Sequence, residues 1–397
     1  MKDSTLYLVR LGEISLKGQN RDFFEKRLKM NIKAKLKPYR NFVSKQKGRL
    51  YFEITNECPE EQALRAFKTT FGVVGFSKCI KCEKDIEVIK KHAALLIQQE
   101  PFASGTGTFK SESRRADKQF PMSSYEIDCE LGGVVLDAYP SMKVNAKYPE
   151  KTIYCEIRDK AYLYTSPMPG PGGLPVSTAG KGMLLLSGGI DSPVASYRMA
   201  QRGLKQECIY FHAAPYTSEQ ALDKVAKLAS LIAPYLQGTR LHVVSFTAVQ
   251  LWIRDHSPED EHTLMFRAAM MKVANAISLM QDGTAIVTGE ALSQVASQTL
   301  ESMAFTDSMS DQLVLRPLVG MDKEEIMDVA KRIGTFETSI LPYEDCCIIF
   351  SPRHPLVRPD KKSVTHHYEL MEIESLLEKA IEDVQTIDFD FAGNRKE

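Results

Sequence analysis

Six residues near the middle of the chain, Ser187-Gly-Gly-Ile-Asp-Ser192, have the types and spacing of a phosphate cradle. Adjacent Gly188 and Gly189 let backbone amides approach a ligand closely. The free amides of a helix starting just after them favour an anion. Ser187 and Ser192 add hydroxyl donors, and Pro193 suits the first turn of that helix. The loop has neither the lysine of a Walker A loop nor the G-x-G-x-x-G spacing of a dinucleotide site. Asp191 would repel phosphates unless a metal intervenes. Mg2+, which takes one or two carboxylates together with phosphate oxygens, resolves that conflict. Further reactive residues lie in Glu344-Asp-Cys-Cys-Ile-Ile-Phe350. A thiolate there is a nucleophile. Glu344 and Asp345 oppose ionisation of Cys346 and Cys347, so activation has to come from elsewhere in the fold.

The elements around the cradle read as a doubly wound parallel sheet. Gly182-Met-Leu-Leu-Leu186 is a short continuous apolar run, as in a buried parallel strand. A helix is expected from about Pro193 to Arg202, then strands over Gln206–Phe211, Leu241–Phe246 and Ala285–Thr288, with helices over 218–235 and 262–281 between them. Ligands of such sheets bind beyond the carboxyl ends of the strands. The cradle follows the first strand. Gly289-Glu-Ala-Leu-Ser-Gln-Val-Ala-Ser-Gln-Thr-Leu300 follows the fourth. A last helix is expected over 363–384.

The front of the chain reads as a smaller mixed α+β unit. Strands are expected at Leu6–Arg10, Arg49–Ile54 and Gly75–Cys82. A hairpin is expected over Thr152–Ile157 and Ala161–Tyr164, around Arg158-Asp159. Short extended runs are read at Gly107–Lys110, Val134–Asp137 and from Lys143. Helices are expected over 61–70 and 84–99, and from an Asn20 cap to about Lys37 before Pro38. The last of these carries an apolar stripe, Phe23, Phe24, Leu28, Ile32 and Leu36, with basic residues crowding its outer face. Pro167-Met-Pro-Gly-Pro-Gly-Gly-Leu-Pro175 cannot hold a helix or a central strand and reads as the domain linker.

Charge changes sign at that linker. Residues 1–180 carry 30 Lys and Arg against 21 Asp and Glu, a net +9, and the remainder of the chain carries the opposite, so the formal total is zero. A basic front half suggests an anionic partner, nucleic acid above all.

The cradle resembles the S-G-G-x-D-S loop of ATP pyrophosphatases, which split ATP into AMP and pyrophosphate. Residues 289–300 look like the G-E-x-x-G-Q-V-A-S-Q-T-L segment of the bacterial tRNA 4-thiouridine synthetases (tRNA sulfurtransferases), with Ser293 where that family has glycine. Gly12-Glu-Ile-Ser-Leu-Lys-Gly18 with Asn20-Arg21, Tyr210-Phe-His212, and Leu315-Arg-Pro-Leu318 with Asp322-Lys323 extend the likeness along essentially the whole chain. The first residue of the triplet at 210 departs from the family's histidine. Phe109–Lys118 and Pro140–Val144 look like THUMP signatures.

The resemblance implies a ferredoxin-like domain (1–60), a THUMP RNA-binding domain (61–166), a linker (167–180) and an ATP-pyrophosphatase domain (181–397). It implies ATP contacts at Leu185, Leu186, Tyr210, Phe211, Arg267, Gly289 and Gln298, beside the cradle itself. It implies tRNA-facing cations at Lys17, Arg21, Lys110, Arg114, Arg115, Lys118 and Lys143. It also implies catalysis by Asp191 and by Cys346 as persulfide carrier, with Cys347 as a candidate resolving thiol. The expected reaction is ATP-dependent conversion of a tRNA uridine, at position 8, to 4-thiouridine, with ATP and Mg2+ as cofactors. A cysteine desulfurase is the implied sulfur donor. A thiamine-pathway sulfur carrier is the implied further partner, and a homodimer the implied assembly. Some members of the family carry a C-terminal rhodanese-like domain, and this chain reads as the short form without it.

No run of eighteen apolar residues and no export signal is visible, so a cytoplasmic chain with reduced thiols is expected. Cys79-Ile-Lys-Cys82 has no second pair and reads as core rather than as a zinc site. His366-His367 reads as solvent-facing. A different class, an RNA-binding protein with a vestigial nucleotide site, is weighed against by the intact Asp191 and Ser192.

Overall fold

The computed structural model describes residues 4–46, 49–343, 350 and 352–396. The chain divides into two compact units: Met1–Arg21 with Ile32–Gly172, and Asp22–Asn31 with Gly173–Glu397.

The first unit runs β1 (Ser4–Leu11), α1 (Arg21–Lys35, whose middle groups with the second unit), β2 (Asn41–Gln46), β3 (Arg49–Thr55), α2 (Glu60–Lys68) and β4 (Val73–Cys82). It continues α3 (Ile86–Leu96), β5 (Thr108–Arg115), α4 (Ser124–Ala138), β6 (Lys143–Val144), β7 (Lys151–Ile157), β8 (Ala161–Thr165) and β9 (Met168–Pro169). All nine strands belong to one sheet in the order β2-β3-β1-β4-β8-β7-β5-β6, with β9 on β4. Helices cover one face. Phe67 of α2 packs on Tyr7, Phe52 and Phe76 at 5.1–5.6 Å between ring centroids. Ile89, Ala93, Ile127, Leu131 and Val135 of α3 and α4 bury the β5, β7 and β8 side chains Phe109, Ile153 and Leu163.

The other face closes on itself. Tyr51 on β3 and Tyr162 on β8 are three strands apart, yet their rings meet at 4.9 Å. Neighbouring strands lie about 4.8 Å apart, so a flat sheet would hold these rings about 14 Å from one another. Arg49 on β3 reaches still further, to Glu156 on β7. The sheet is therefore strongly curled, and Glu156 is buried inside the curl. Tyr164 donates to it at 2.6 Å and Arg158 pairs with it at 2.8 Å. Glu156→Ala leaves two guanidinium groups beside an empty site. We expect it to cost about 3–5 kcal/mol, read by urea unfolding, and Glu156→Gln to cost less.

Several local expectations change here. Val134–Asp137 is helical, not extended. Ser123 and Glu126 form a capping box, and Ile127, Leu131 and Val135 repeat at helical spacing. Asn20 makes no side-chain cap on α1, and Phe23 is about half exposed. Lys35 lies inside rather than on the basic face, donating to Thr69 O at 2.8 Å and Thr69 Oγ1 at 2.9 Å. Cys79 and Cys82 point to opposite faces of β4, in different core clusters, and cannot share a metal.

The second unit runs β10 (Lys181–Leu185), α5 (Asp191–Gln201), β11 (Lys205–His212), α6 (Glu219–Leu236), β12 (Thr239–Ser245), α7 (Thr247–His256), α8 (His262–Met280) and β13 (Ala285–Val287). Then follow α9 (Leu300–Asp307), β14 (Leu313–Leu315), α10 (Lys323–Ile333), α11 (Phe336–Ser339), α12 (Lys361–Leu370), α13 (Glu374–Glu382) and β15 (Gln385–Phe389). The sheet order is β14-β13-β10-β11-β12-β15. The first five strands are parallel, and β15 pairs antiparallel with β12 at one edge. The apolar run of β10 is buried, as a strand covered on both faces must be.

The single helix expected over 363–384 is two helices. They are separated at 371–373, where Glu372 adopts φ 46°. His366 is exposed, but His367 is half-buried, with Nδ1 at 2.9 Å from Glu261.

Candidate active site

Chain order reverses beside β10: the chain moves outward through β11 and β12, then returns to lay β13 on the other side of β10. Crevices form at such switch points, beyond the carboxyl ends of the strands. A cavity of about 290 Å³ occupies this one. The end of β10 supplies Leu185, Leu186 and Ser187; the start of α5 supplies Asp191 and Ser192; β11 supplies Ile209, Tyr210 and Phe211. The segment after β13 adds Thr288, Gly289, Glu290 and Gln298, α8 adds Arg267, Met270 and Met271, and α9 adds Thr306. Ten of the residues anticipated for ATP therefore line one cavity. Gly188 and Gly189 complete the loop between Ser187 and Asp191 without lining it.

The loop is tied to itself. Ser187 N donates to Ser192 Oγ at 2.9 Å, the two hydroxyl oxygens lie 3.2 Å apart, and Gly189 N donates to Ser187 Oγ at 3.3 Å. The serine hydroxyls thus shape the loop, rather than serving only as donors to a ligand. Neither Gly188 nor Gly189 has a positive φ. The glycine that close approach demands is Gly289, where a Cβ would stand 2.7 Å from Ser192 N. α5 starts at Asp191, two residues before Pro193, and no side chain caps it. Its first-turn amides remain for an anion.

The charges form two groups. Asp191 Oδ1 lies 2.6 Å from Lys323 Nζ at the start of α10, and its Oδ2 accepts from Gln294 at 2.9 Å. Glu290 is buried between two arginines. It pairs with Arg267, which also donates to Ser297 Oγ at 2.7 Å, and with Arg316 Nε at 2.6 Å; Thr288 donates to it at 2.9 Å. Burial alone would push its carboxyl up, but Arg267 and Arg316 outweigh burial and hold it below the usual carboxylate range.

Lys323 and Arg316 lie in segments already compared with the family, yet neither was assigned to the site, nor were Glu290 and Gln294. The available signal was their place directly after parallel strands β13 and β14 or at a helix start.

Ser293 adopts φ 61°, the left-handed backbone that explains a glycine preference, while its N–H donates to Gln298 O at 2.8 Å. Ser293→Gly relieves roughly 1–2 kcal/mol of backbone strain and loses about 0.5–1 kcal/mol to the freer unfolded chain. A small net gain, a Tm higher by a degree or two, is the expected result of thermal denaturation.

Cys346 and Cys347 lie outside the described residues. The chain leading to them is anchored: Ser339 Oγ donates to Gly189 O at 3.2 Å, and Lys224 Nζ donates to Leu341 O at 2.8 Å. Of the other cysteines, Cys129 is exposed and Cys58, Cys79, Cys82, Cys155 and Cys208 are buried free thiols.

The cations expected to meet RNA lie in the segment after β1, on β5, just after β5 and on β6. Lys110 and Arg114 on β5 share Glu112 at 3.0 Å each, and Lys118 and Lys143 are exposed. Arg115 Nη1 donates to Phe120 O and Met122 O at 2.8 and 2.9 Å. Lys17 pairs with Glu13 at 3.2 Å, and it and Arg21 follow β1, which β4, β8 and β7 separate from β5 in the sheet. Among the described residues no group of three or more His, Cys, Asp or Glu could hold a metal, and no helix is long and apolar enough to cross a membrane.

This parallel sheet, with its Ser-Gly-Gly loop at a switch-point cavity, defines a catalytic unit of the ATP-pyrophosphatase class, preceded by a ferredoxin-like and THUMP sheet. Residues 177–373 match the family described as thiamine biosynthesis protein (ThiI), residues 6–77 the ThiI ferredoxin-like domain and residues 83–166 the THUMP domain. A probable tRNA sulfurtransferase of Lachnoclostridium phytofermentans is 43% identical over 96% of this chain and 98% of its own length. One from Acetivibrio thermocellus is 42% identical over 96% and 97%. A crystallised 4-thiouridine synthetase in complex with RNA and ATP superposes with a TM-score of 0.89 at 34% identity, covering 97% of this chain and all of the other. The chain belongs to the tRNA sulfurtransferase family.

Proposed function

We propose that the protein binds tRNA and ATP, adenylates the O4 of a uridine, expected at position 8, and replaces that oxygen with sulfur carried on Cys346, giving 4-thiouridine. The observation that carries this reading is the uncapped start of α5 and the Ser187–Ser192 loop opening into the cavity at the β10, β11 and β13 ends. An uncapped helix start holds phosphate, and the apolar depth at Ile209, Phe211, Met270 and Met271 suits a base.

The atoms balance as follows. Uridine O4 attacks the α-phosphorus and pyrophosphate leaves. The outer sulfur of a Cys346 persulfide attacks C4 and AMP leaves. The S–S bond to Cys346 then breaks when a second thiol, Cys347 or an external one, takes Cys346 into a disulfide. A cysteine desulfurase is the source of the persulfide sulfur, and a thiamine-pathway sulfur carrier is a further acceptor. The family likeness also supports a cytoplasmic homodimer.

Asp191, whose two oxygens here meet Lys323 and Gln294, would exchange one of those contacts to serve as a single carboxylate ligand of a Mg2+ held mainly by nucleotide phosphates. When bound, such an ion neutralises the leaving pyrophosphate. Lys323 beside Asp191 supplies fixed positive charge at the loop, and Arg267 supplies it in the cavity wall. The net +9 of the front half supports RNA binding that weakens steeply with salt.

The test is to incubate the protein with tRNA and ATP and resolve the nucleotide products. AMP and pyrophosphate in equal amounts, formed only when tRNA is present, support the reading. ADP and phosphate, or no tRNA dependence, contradict it.

A further inference from the structure

Arg267 could not hold its place in the cavity wall alone. It is a long side chain on α8, with a guanidinium that is mostly but not fully buried. Two of its N–H groups are committed, to Ser297 Oγ and to the Glu290 carboxylate. That carboxylate is itself gripped from the far side by Arg316 Nε, and Arg316 Nη2 is tied at 2.6 Å to Asp307 at the end of α9. The result is a line of alternating charges, Arg267–Glu290–Arg316–Asp307, running from the cavity wall outward. Only its first two members line the cavity. Its formal charge is zero, so its contribution lies in orientation rather than in net attraction for an anion.

We propose that Glu290 is a positioning residue for the reaction. It fixes the Arg267 guanidinium in the orientation that meets the nucleotide, and Arg316 with Asp307 keeps the carboxylate from following the arginine when a ligand competes for it. The proposal rests on the reading of this cavity as the ATP site. Pre-set geometry spares the ordering cost that a free arginine pays on binding. Glu290 therefore acts on the ligand only through Arg267. Loss of its charge matters when Arg267 is present and not when Arg267 is gone.

A double-mutant cycle read by titration calorimetry of the full chain with ATP tests this. Glu290→Gln, of nearly the same shape, is expected to weaken ATP binding about tenfold and Arg267→Ala at least as much, with the double variant within about twofold of Arg267→Ala. Wild-type affinity in Glu290→Gln overturns the proposal. So does an equal further loss when Glu290→Gln is added to Arg267→Ala. If the wild type itself takes up no ATP, the nucleotide reading fails and the proposal falls with it, an outcome distinct from the other two. Should Glu290→Gln not fold, Asp307→Asn is measured instead. Asp307 is nearly half exposed, and releasing Arg316 there is expected to weaken ATP about threefold, again only when Arg267 is present. Unchanged affinity in that variant overturns the proposal.

Discussion

Asp191→Ala is expected to lower 4-thiouridine formation by about 100- to 1000-fold, the loss that follows removal of a group acting on charge that develops in the transition state. Asp191 sits in the first turn of α5, at the lip of the cavity, against Lys323 and Gln294. Both contacts are exposed side-chain pairs, so the variant should unfold within a few degrees of wild type and bind tRNA within about twofold of it. Two roles are separable. If Asp191 acts only by placing Lys323, then Lys323→Ala reproduces the loss and the double variant is no worse. If Asp191 also acts on the nucleotide itself, the double variant is slower than either single one. Steady-state rates at saturating tRNA over a range of ATP decide between them. An Asp191→Ala protein that thiolates within threefold of wild type would remove Asp191 from the chemistry.

Cys346→Ser is expected to abolish thiolation, by at least about 1000-fold, because a hydroxyl cannot carry a persulfide. ATP affinity should be unchanged. tRNA-dependent AMP release should persist at a reduced rate, since the adenylated uridine is still made and water then replaces sulfur at C4. Cys347→Ser should behave differently. If Cys347 takes up Cys346 as a disulfide, its loss leaves the tRNA joined to Cys346 through the S–S bond in the absence of added thiol, so no 4-thiouridine is released, and dithiothreitol restores release. If an external thiol performs that step, Cys347→Ser turns over like wild type. Gel or mass analysis of sulfur bound to the protein after treatment with a cysteine desulfurase gives a second readout. The persulfide should be present on wild type and absent from Cys346→Ser.

Much of the site was legible because its chemistry is local. Ser187–Ser192 combines strand end, loop and helix start within a few residues, and each of those has its own residue preferences. The β10 run was legible for the same reason, whereas the Pro/Gly-rich stretch after Ser166 holds the short strand β9 paired with β4. What escaped was set by partners far away in sequence. Lys323 meets Asp191 across 132 positions, and Arg316 meets Glu290 across 26. Nothing near either cation announces its mate. Lys35 sits at a position that reads as solvent-facing, yet Thr69 gives its ammonium two oxygen partners inside the protein. Val134–Asp137 is apolar enough for a strand, and the decision for helix is made well before it by Ser123 and Glu126. The curl of the first sheet, which brings Arg49 to Glu156 across four strands, has no sequence signature at all, since it depends on what both ends of the sheet find to pair with. Ser293 shows the converse. A departure from the family's residue flagged a turn, and the backbone there is left-handed.

Liquid chromatography with mass spectrometry of tRNA nucleosides tests the central claim most directly. Wild-type protein is incubated with unmodified tRNA, ATP, Mg2+, cysteine and a cysteine desulfurase, with ATP omitted in a parallel sample. Formation of 4-thiouridine with ATP, and none without it, is the expected result. Absence of 4-thiouridine under conditions where tRNA and ATP are both shown to bind would contradict the assignment of this cavity to uridine thiolation.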